Sequence, residues 1–435
     1  MKKIISALAL GAVAASLATA EMKVSLNYRN GAELFKYVNK GADGRSTDDY
    51  GNTYIDSGYD VSGSSYNLFN LKGWNAGKDN LGLTASGDIF SLKATLQPAI
   101  GNNDIIWHIF DATATIGNLK LEGGWNGDGV GMNFRVKKDA DAGNEEGKVF
   151  ETFKPGSIFT GSVGLCSTNH VSFGTDRNLF ALASYNLGLD ELALKFTGAL
   201  MFDRTWNSTA EQNNGNLGWS LFVDPKVPGI LEAELFVKGT KLGAAGSDKV
   251  SQIVTGAYFK PTMVPMLSDS SLGASLVFVD GNLMEYNVDW RAYVKPSDAL
   301  TITYFGKFAK LVVDDDTGYD EVDGAAVGAL AGLTGFKSSQ ALWNMVAARY
   351  KVSELVTGIL SIGELTDLDD GFQWGRESAD GTQIFVHPHA QIFANKGATI
   401  TAGVLVGFGG IGANADANKD VDVLVNVPVL FRVKM

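Results

Sequence analysis

"VDVLVNVPVLFRVKM", residues 421–435, alternates without a break. Val421, Val423, Val425, Val427, Val429, Phe431, Val433 and Met435 share one parity; Asp422, Leu424, Asn426, Pro428, Leu430, Arg432 and Lys434 share the other. Successive side chains of a strand point to opposite faces, so this stretch predicts one long strand with an apolar side and a mixed side.

The other end of the chain has a different character. Lys2 and Lys3 precede an apolar run from Ile4 to Leu17, and Ala18-Thr19-Ala20 supplies small residues at peptidase spacing. That layout predicts a cleaved secretory signal over 1–20, with residues 21–435 as a single domain outside the cytoplasm. Two lysines leave with the signal, taking the formal charge from −12 to −14.

Within 21–435 there is no Pro-rich linker and no composition break; the whole chain has 9 prolines and 52 glycines. Nothing after residue 20 reaches the apolar length of a spanning helix. The lone cysteine, Cys166, excludes an internal disulfide and reads as a packing residue in "SIFTGSVGLC".

Alternation recurs along the chain. In 283–308, Tyr286, Val288, Trp290, Ala292 and Val294 oppose Asn287, Asp289, Arg291, Tyr293 and Lys295. Pro296-Ser297-Asp298 then turns the chain, and Leu300, Ile302, Tyr304, Gly306 and Phe308 return on the apolar side. Tight joining makes such strands antiparallel, with coincident apolar faces. Comparable hairpins turn at Gly117-Asn118, "GLDE", "PKVPG", "VSE" and "NKG". Counting every segment gives 22, including ones starting near 66, 130, 148 and 158, and 18–22 strands is the expected range.

The gaps alternate too. Long polar connections at 409–420, 366–382, 314–340, 242–250, 204–216 and roughly 30–64 fall on one side, short turns on the other. Four positions break this rule on a count of 22: 280–282, 117–118 and 87–88 are short on the long side, and 261–270 is long on the short side.

Many segments reach the 9–11 residues that a tilted membrane-spanning strand needs. Trp74, Trp125, Tyr185, Trp219, Tyr286 and Tyr350 lie near ends of the apolar face, where a ring with one wet polar atom suits a membrane interface. A sheet in hydrocarbon must have no edge, which predicts closure. The mean hydropathy of +0.02 fits a wall with only one face toward lipid. The fold class expected is all-β: a transmembrane antiparallel up-and-down β-barrel with short periplasmic turns and long external loops.

With its signal peptide, hairpin series and terminal strand, the chain resembles a bacterial outer-membrane β-barrel of the general porin type. In that class the last strand usually ends in an aromatic residue read by the barrel-insertion machinery; here it ends in Met435, with Phe431 four residues earlier. The resemblance is one of architecture and picks out no particular family. It implies the outer membrane of a diderm bacterium as location, with outer-membrane lipid and the insertion machinery as partners.

Alternation starts at "MKVSLNYR", residues 22–29, leaving no room for an N-terminal plug. The implied function is passive diffusion of small hydrophilic solutes through a water-filled lumen of a monomer or homotrimer. Parity places Lys93, Lys195, Glu232, Glu234, Asp289, Arg291, Lys307, Arg349 and Lys351 on the lumen side. Loop 314–340, "DDDTGYDEVDGAAVGALAGLTGFKSSQ", joins an acidic stretch to an apolar one, so constricting the lumen, capping the mouth and contacting a neighbouring subunit are its three readings. Acidic loops draw cations to a mouth, hold divalent cations, or simply stay solvated. Asp416, Asn418 and Asp420 resemble the start of a calcium loop but lack its glycine and distal Glu.

A different function class remains: a surface adhesin or ligand-binding barrel acting through its acidic loops. His387 and His389 point the same way and are the weak metal candidates; two ligands make no structural site, and two wet histidines is the plainer account. His170 and Ser172 match the spacing of the outer-membrane phospholipase family, with no orienting partner in view, so no enzyme is expected. No cofactor or nucleic-acid partner is implied, since phosphate-cradling loops, metal-spaced cysteines and basic stripes are absent from the sequence.

Overall fold

The computed structural model describes residues 21–40, 59–62, 80–98, 105–126, 178–189, 192–203, 206–207, 211–213, 215–242, 250–267, 270–311, 340–367, 382–395, 397–408 and 421–435. Almost all of them are strand. In chain order the first eight are β1 (Glu21–Lys40), β2 (Tyr59–Ser62), β3 (Asn80–Ser86), β4 (Phe90–Pro98), β5 (Ile105–Ile116), β6 (Leu119–Asn126), β7 (Asn178–Leu189) and β8 (Leu192–Asp203). A two-residue hairpin, β9 (Trp206–Asn207) and β10 (Gln212–Asn213), stands apart. Then come β11 (Leu217–Val227), β12 (Leu231–Leu242), β13 (Val250–Pro261), β14 (Ser271–Val279), β15 (Asn282–Val294) and β16 (Leu300–Leu311). The last are β17 (Gln340–Lys351), β18 (Val356–Asp367), β19 (Thr382–Asn395), β20 (Ala398–Gly403), β21 (Leu405–Phe408) and β22 (Val421–Lys434).

Every pairing is antiparallel, and each strand of the wall pairs with its neighbours in sequence. The ring closes where β1 meets β22, from Asn27 opposite Lys434 to Lys40 opposite Val421. Beyond the strand, Leu26 N–H donates to Met435 O at 2.8 Å and Met435 N–H returns to Leu26 O at 2.9 Å. The terminal stretch is therefore the closing stave of an antiparallel β-barrel.

Twenty strands belong to this sheet. β2 extends the edge of β1 above β3, and β20 with β21 forms one stave interrupted at Val404, so eighteen staves complete the ring among the described residues. β1 pairs directly with β3 and β6 directly with β7. Eighteen lies within the expected range of 18–22 strands, and the four further expected segments start near 66, 130, 148 and 158. Those residues themselves lie outside the described ones.

Counting eighteen staves removes two of the four irregularities. With β1 counted as one stave to Lys40, reaching well into the expected 30–64 connection, the turns at 87–89 and 117–118 join the tight end. There they accompany 228–230, 295–299 and 352–355. Only 262–270, containing a 3-10 turn at Pro265–Leu267, is longer there. At the opposite end 280–281 stays tight for a local reason: Asp280 and Gly281 take φ of 46° and 89°. Two successive positive φ values make the turn that follows strand twist, and Asp-Gly supplies them cheaply. Asp280 Oδ1 also accepts from Ser251 N–H at 2.8 Å.

Burial follows the period of two. Along β11 it reads exposed, buried, intermediate, buried, exposed, buried from Leu217 to Phe222. Outward-facing Leu179, Leu200, Leu217, Leu221, Leu272 and Leu276 are exposed, whereas Phe222, Phe236, Val254 and Val277 on the other parity are buried. In a closed sheet the concave face is the confined one, so the buried parity points inward.

The outward face has its own packing. The Trp290 ring lies directly over Gly306, and the Trp219 ring over Gly239, where an added Cβ would meet it at 2.6 Å. Trp290 also contacts Tyr304, with centroids 6.3 Å apart. Tyr304 Oη–H donates to Asn344 Oδ1 at 2.7 Å, and Asn344 Nδ2–H donates to Glu364 Oε1 at 2.8 Å. This chain satisfies polar groups standing among Val346 and Ile362, which an apolar surface requires. Gly306→Val is expected to displace the Trp290 ring and cost about 1–3 kcal/mol. Denaturant unfolding of the refolded protein measures it; an unchanged midpoint would show that the ring packs elsewhere.

Candidate inner-wall site

The sequence-predicted lumen residues fall on the inward parity of six different staves, and cross-strand register gives each a neighbour. Lys93 on β4 stands opposite Asp111 on β5. Lys195 on β8 faces Asn186 and Asp224. Glu232 on β12 accepts from Lys226 Nζ at 2.7 Å and stands opposite Lys260. Glu234 is buried beside Tyr258. Asp289 occupies the position opposite Lys307. Arg291 lies between Ser271 and Phe305, its guanidinium carbon 5.6 Å from the Tyr293 ring centroid. Arg349 faces Thr301 and Ile359; Lys351 faces Thr357.

One further pair belongs to this wall. Lys120 Nζ donates to Glu122 Oε2 at 2.6 Å, both on the inward parity of β6. From β4 to β16 the inner cations therefore alternate with acids on the same or the adjacent stave. Charge on such a wall can be matched only if strand pairing brings opposite signs into register.

Between these charges the wall is greasier than the sequence suggested. Phe180, Leu182, Ala199, Met201, Phe222, Phe236, Val254, Tyr258 and Val277 form one buried cluster over the inner side of β7 to β14. Phe222 and Phe236 rings are 6.1 Å apart, and Lys238 Nζ lies 5.3 Å from the Phe236 centroid. The charged lining expected from parity is thus only part of the inner wall. A rule that assigns apolar residues outward on a two-sided strand has no way to flag these. The available signal was Phe222, Phe236 and Tyr258 sitting on the polar parity.

His387 and His389 share the inward face of β19, and the expectation of two wet histidines is corrected. They are 1% and 6% exposed, with stacked rings 4.3 Å apart. A carbonyl can only accept, so His389 Nδ1 carries a proton toward His387 O at 3.2 Å. His387 stands opposite Ser361, and His389 opposite Gly403, where a Cβ would strike the His389 side chain. Among the described residues no group of three or more His, Cys, Asp or Glu could hold a metal ion.

Several expectations lie outside the described residues: the 1–20 segment, Trp74, Cys166, His170 with Ser172, loop 314–340 up to residue 339, and Asp416 to Asp420.

No protein-family model matches the chain, and no curated protein matches it. Solved structures do resemble its fold. An anion-selective porin from Comamonas acidovorans aligns at 12% identity and TM-score 0.47, covering 96% of this chain and 100% of that one. OccK3 (OpdO) of Pseudomonas aeruginosa aligns at 10% identity and TM-score 0.47, covering 97% of each chain. OmpT, an outer membrane protein of Vibrio cholerae, aligns at 11% identity and TM-score 0.40, covering 96% of this chain and 98% of that one. These likenesses are too slight to bear on what this chain does, and the barrel rests on its own strand pairing.

Proposed function

We propose that this chain is an outer-membrane channel through which small hydrophilic solutes diffuse passively. One observation carries the reading: a single closed wall exposes large apolar side chains outward and keeps its ionic pairs inward. Outward, Leu200 and Leu221 are 55% and 56% exposed among other large apolar side chains. A water-facing surface so rich in large hydrophobic groups would aggregate, whereas hydrocarbon accepts it. Inward, the wall carries ionic pairs such as Lys226–Glu232, which need hydration or one another.

Aromatic placement supports the same reading. Trp125, Trp219 and Tyr286 lie near the end of the wall with the long connections, Tyr185 and Tyr350 near the tight-turn end. Such girdles sit at the two interfaces of a bilayer. The tight end then faces the periplasm and the long connections face outside. Export through a cleaved 1–20 signal, assembly by the barrel-insertion machinery and association into a homotrimer complete the proposal.

Single-channel recording from refolded 21–435 in a planar bilayer tests it. Discrete conductance steps are expected. A folded, inserted barrel that never conducts would overturn the channel and move the function to the external connections.

A further inference from the structure

We infer that His387 and His389, on the inward face of β19, form an exchangeable site for a borderline divalent transition cation of the Cu²⁺ and Zn²⁺ class. The inference goes beyond the channel reading and does not depend on conduction.

Alternate residues of an extended strand are about 6.6 Å apart, yet these two rings lean together, with centroids 4.3 Å apart and planes at 23°. Two contacts set the pair. His389 Nδ1–H donates to His387 O at 3.2 Å. Gly403, directly opposite His389 on β20, leaves open the space in which a Cβ would strike the His389 side chain.

The first contact also fixes the tautomer. With its proton on Nδ1, a neutral His389 ring carries its lone pair on Nε2. One ring nitrogen donating to a backbone carbonyl while the other holds a lone pair is the usual arrangement of a metal-binding imidazole. His387 brings a second imidazole alongside, on the same face of the same strand. Such nitrogens suit Cu²⁺ and Zn²⁺, and metal–nitrogen bonds of about 2.0–2.1 Å put two donors about 3 Å apart. Rings stacked this closely reach that separation by tilting toward each other, with no change in strand pairing.

Ser361 points to the same place independently. It stands directly opposite His387 on β18 and is 0% exposed, and its Oγ has no hydrogen-bond partner among the described residues. A hydroxyl so deeply buried normally has one. A water on a metal ion held by the neighbouring imidazoles would donate to it.

The surroundings make the site exchangeable. Among the described residues no carboxylate or thiolate joins the pair, so two protein ligands leave the other positions to water or to a solute's donor atoms. Arg349 faces Ile359, which faces His389, so a guanidinium-bearing residue lies two staves, about 10 Å, away and opposes a dication. A chelator should therefore remove the ion without unfolding the barrel.

The test is a Cu²⁺ titration of refolded 21–435, read by electron paramagnetic resonance, because Cu²⁺ binds nitrogen sites most tightly of the divalent series. Wild type is compared with His389→Gln and with His387→Gln/His389→Gln, each first shown to be folded by circular dichroism. His108 and His170 remain in every form and report any background binding. Wild type is expected to hold one Cu²⁺ through imidazole nitrogen and to release it to EDTA. His389→Gln is expected to weaken binding by roughly tenfold or more, and the double variant to abolish it. A measurement on wild type alone guards against misfolding of the variants: Zn²⁺ is expected to protect His387 and His389 from diethyl pyrocarbonate, as mapped by mass spectrometry. Folded wild type without a nitrogen-bound Cu²⁺ signal would overturn the inference. So would a signal that survives in the double variant, or equal modification of the two rings with and without Zn²⁺.

Discussion

Removal of residues 421–435 is expected to abolish the folded barrel outright. β22 carries the seam to β1 on one side and to β20 and β21 on the other. Without it two strand edges face hydrocarbon, and each unpaired backbone group there costs several kcal/mol. Over a stave of 14 residues that penalty far exceeds the 5–15 kcal/mol typical of whole-domain stability. A shortened ring offers no ready rescue, because β1 and the stave of β20 and β21 both run antiparallel to β22 and would have to pair with each other in parallel. Far-UV circular dichroism and protease resistance after refolding into liposomes read the outcome. A truncated chain that still gives a protease-resistant barrel would mean that closure does not depend on this stave.

Leu221→Arg carries the second large effect, and its sign separates a membrane barrel from a water-soluble one. Leu221 is 56% exposed at the middle of β11, between Gly198 on β8 and Val237 on β12. In water, an exposed leucine accepts arginine at a cost within about 0.5 kcal/mol. On the lipid face of a barrel at mid-bilayer, the same change costs about 2–4 kcal/mol. Reversible denaturant unfolding in liposomes, compared with wild type, measures the difference. A substitution that leaves stability unchanged would remove the lipid from the outward face and with it the proposed location.

Much of this was legible from residues. Tyr286, Val288, Trp290 and Ala292 alternate with Asn287, Asp289 and Arg291, and that local rhythm placed them on opposite faces correctly. Turn chemistry was legible where it is local: Asp280-Gly281 and Pro296-Ser297-Asp298 end their strands in place. The parity of the candidate inner charges was legible too, since it needs only a strand and a starting point. Their pairing was not. Whether Lys93 stands opposite Asp111, or Lys195 opposite Asp224, depends on which strands are neighbours and in what register.

The histidines illustrate the same limit. Their spacing gave a shared direction, but stacking and burial come from Ser361 and Gly403 on the flanking strands. Phe222, Phe236 and Tyr258 read as misplaced apolar residues on a polar parity until three strands set them side by side.

By itself, then, the sequence determined that the chain alternates in long antiparallel hairpins, that its C-terminal stretch forms a strand, and which side chains share a face. Those properties have a period of two residues, and the backbone pleat enforces them wherever a strand forms. Tertiary structure alone decided that eighteen staves close the ring among the described residues, that β6 meets β7 across a long connection, and that an apolar cluster gathers on the inner side of β7 to β14. These depend on contacts between residues tens to hundreds of positions apart, and the pleat repeats too soon to encode them.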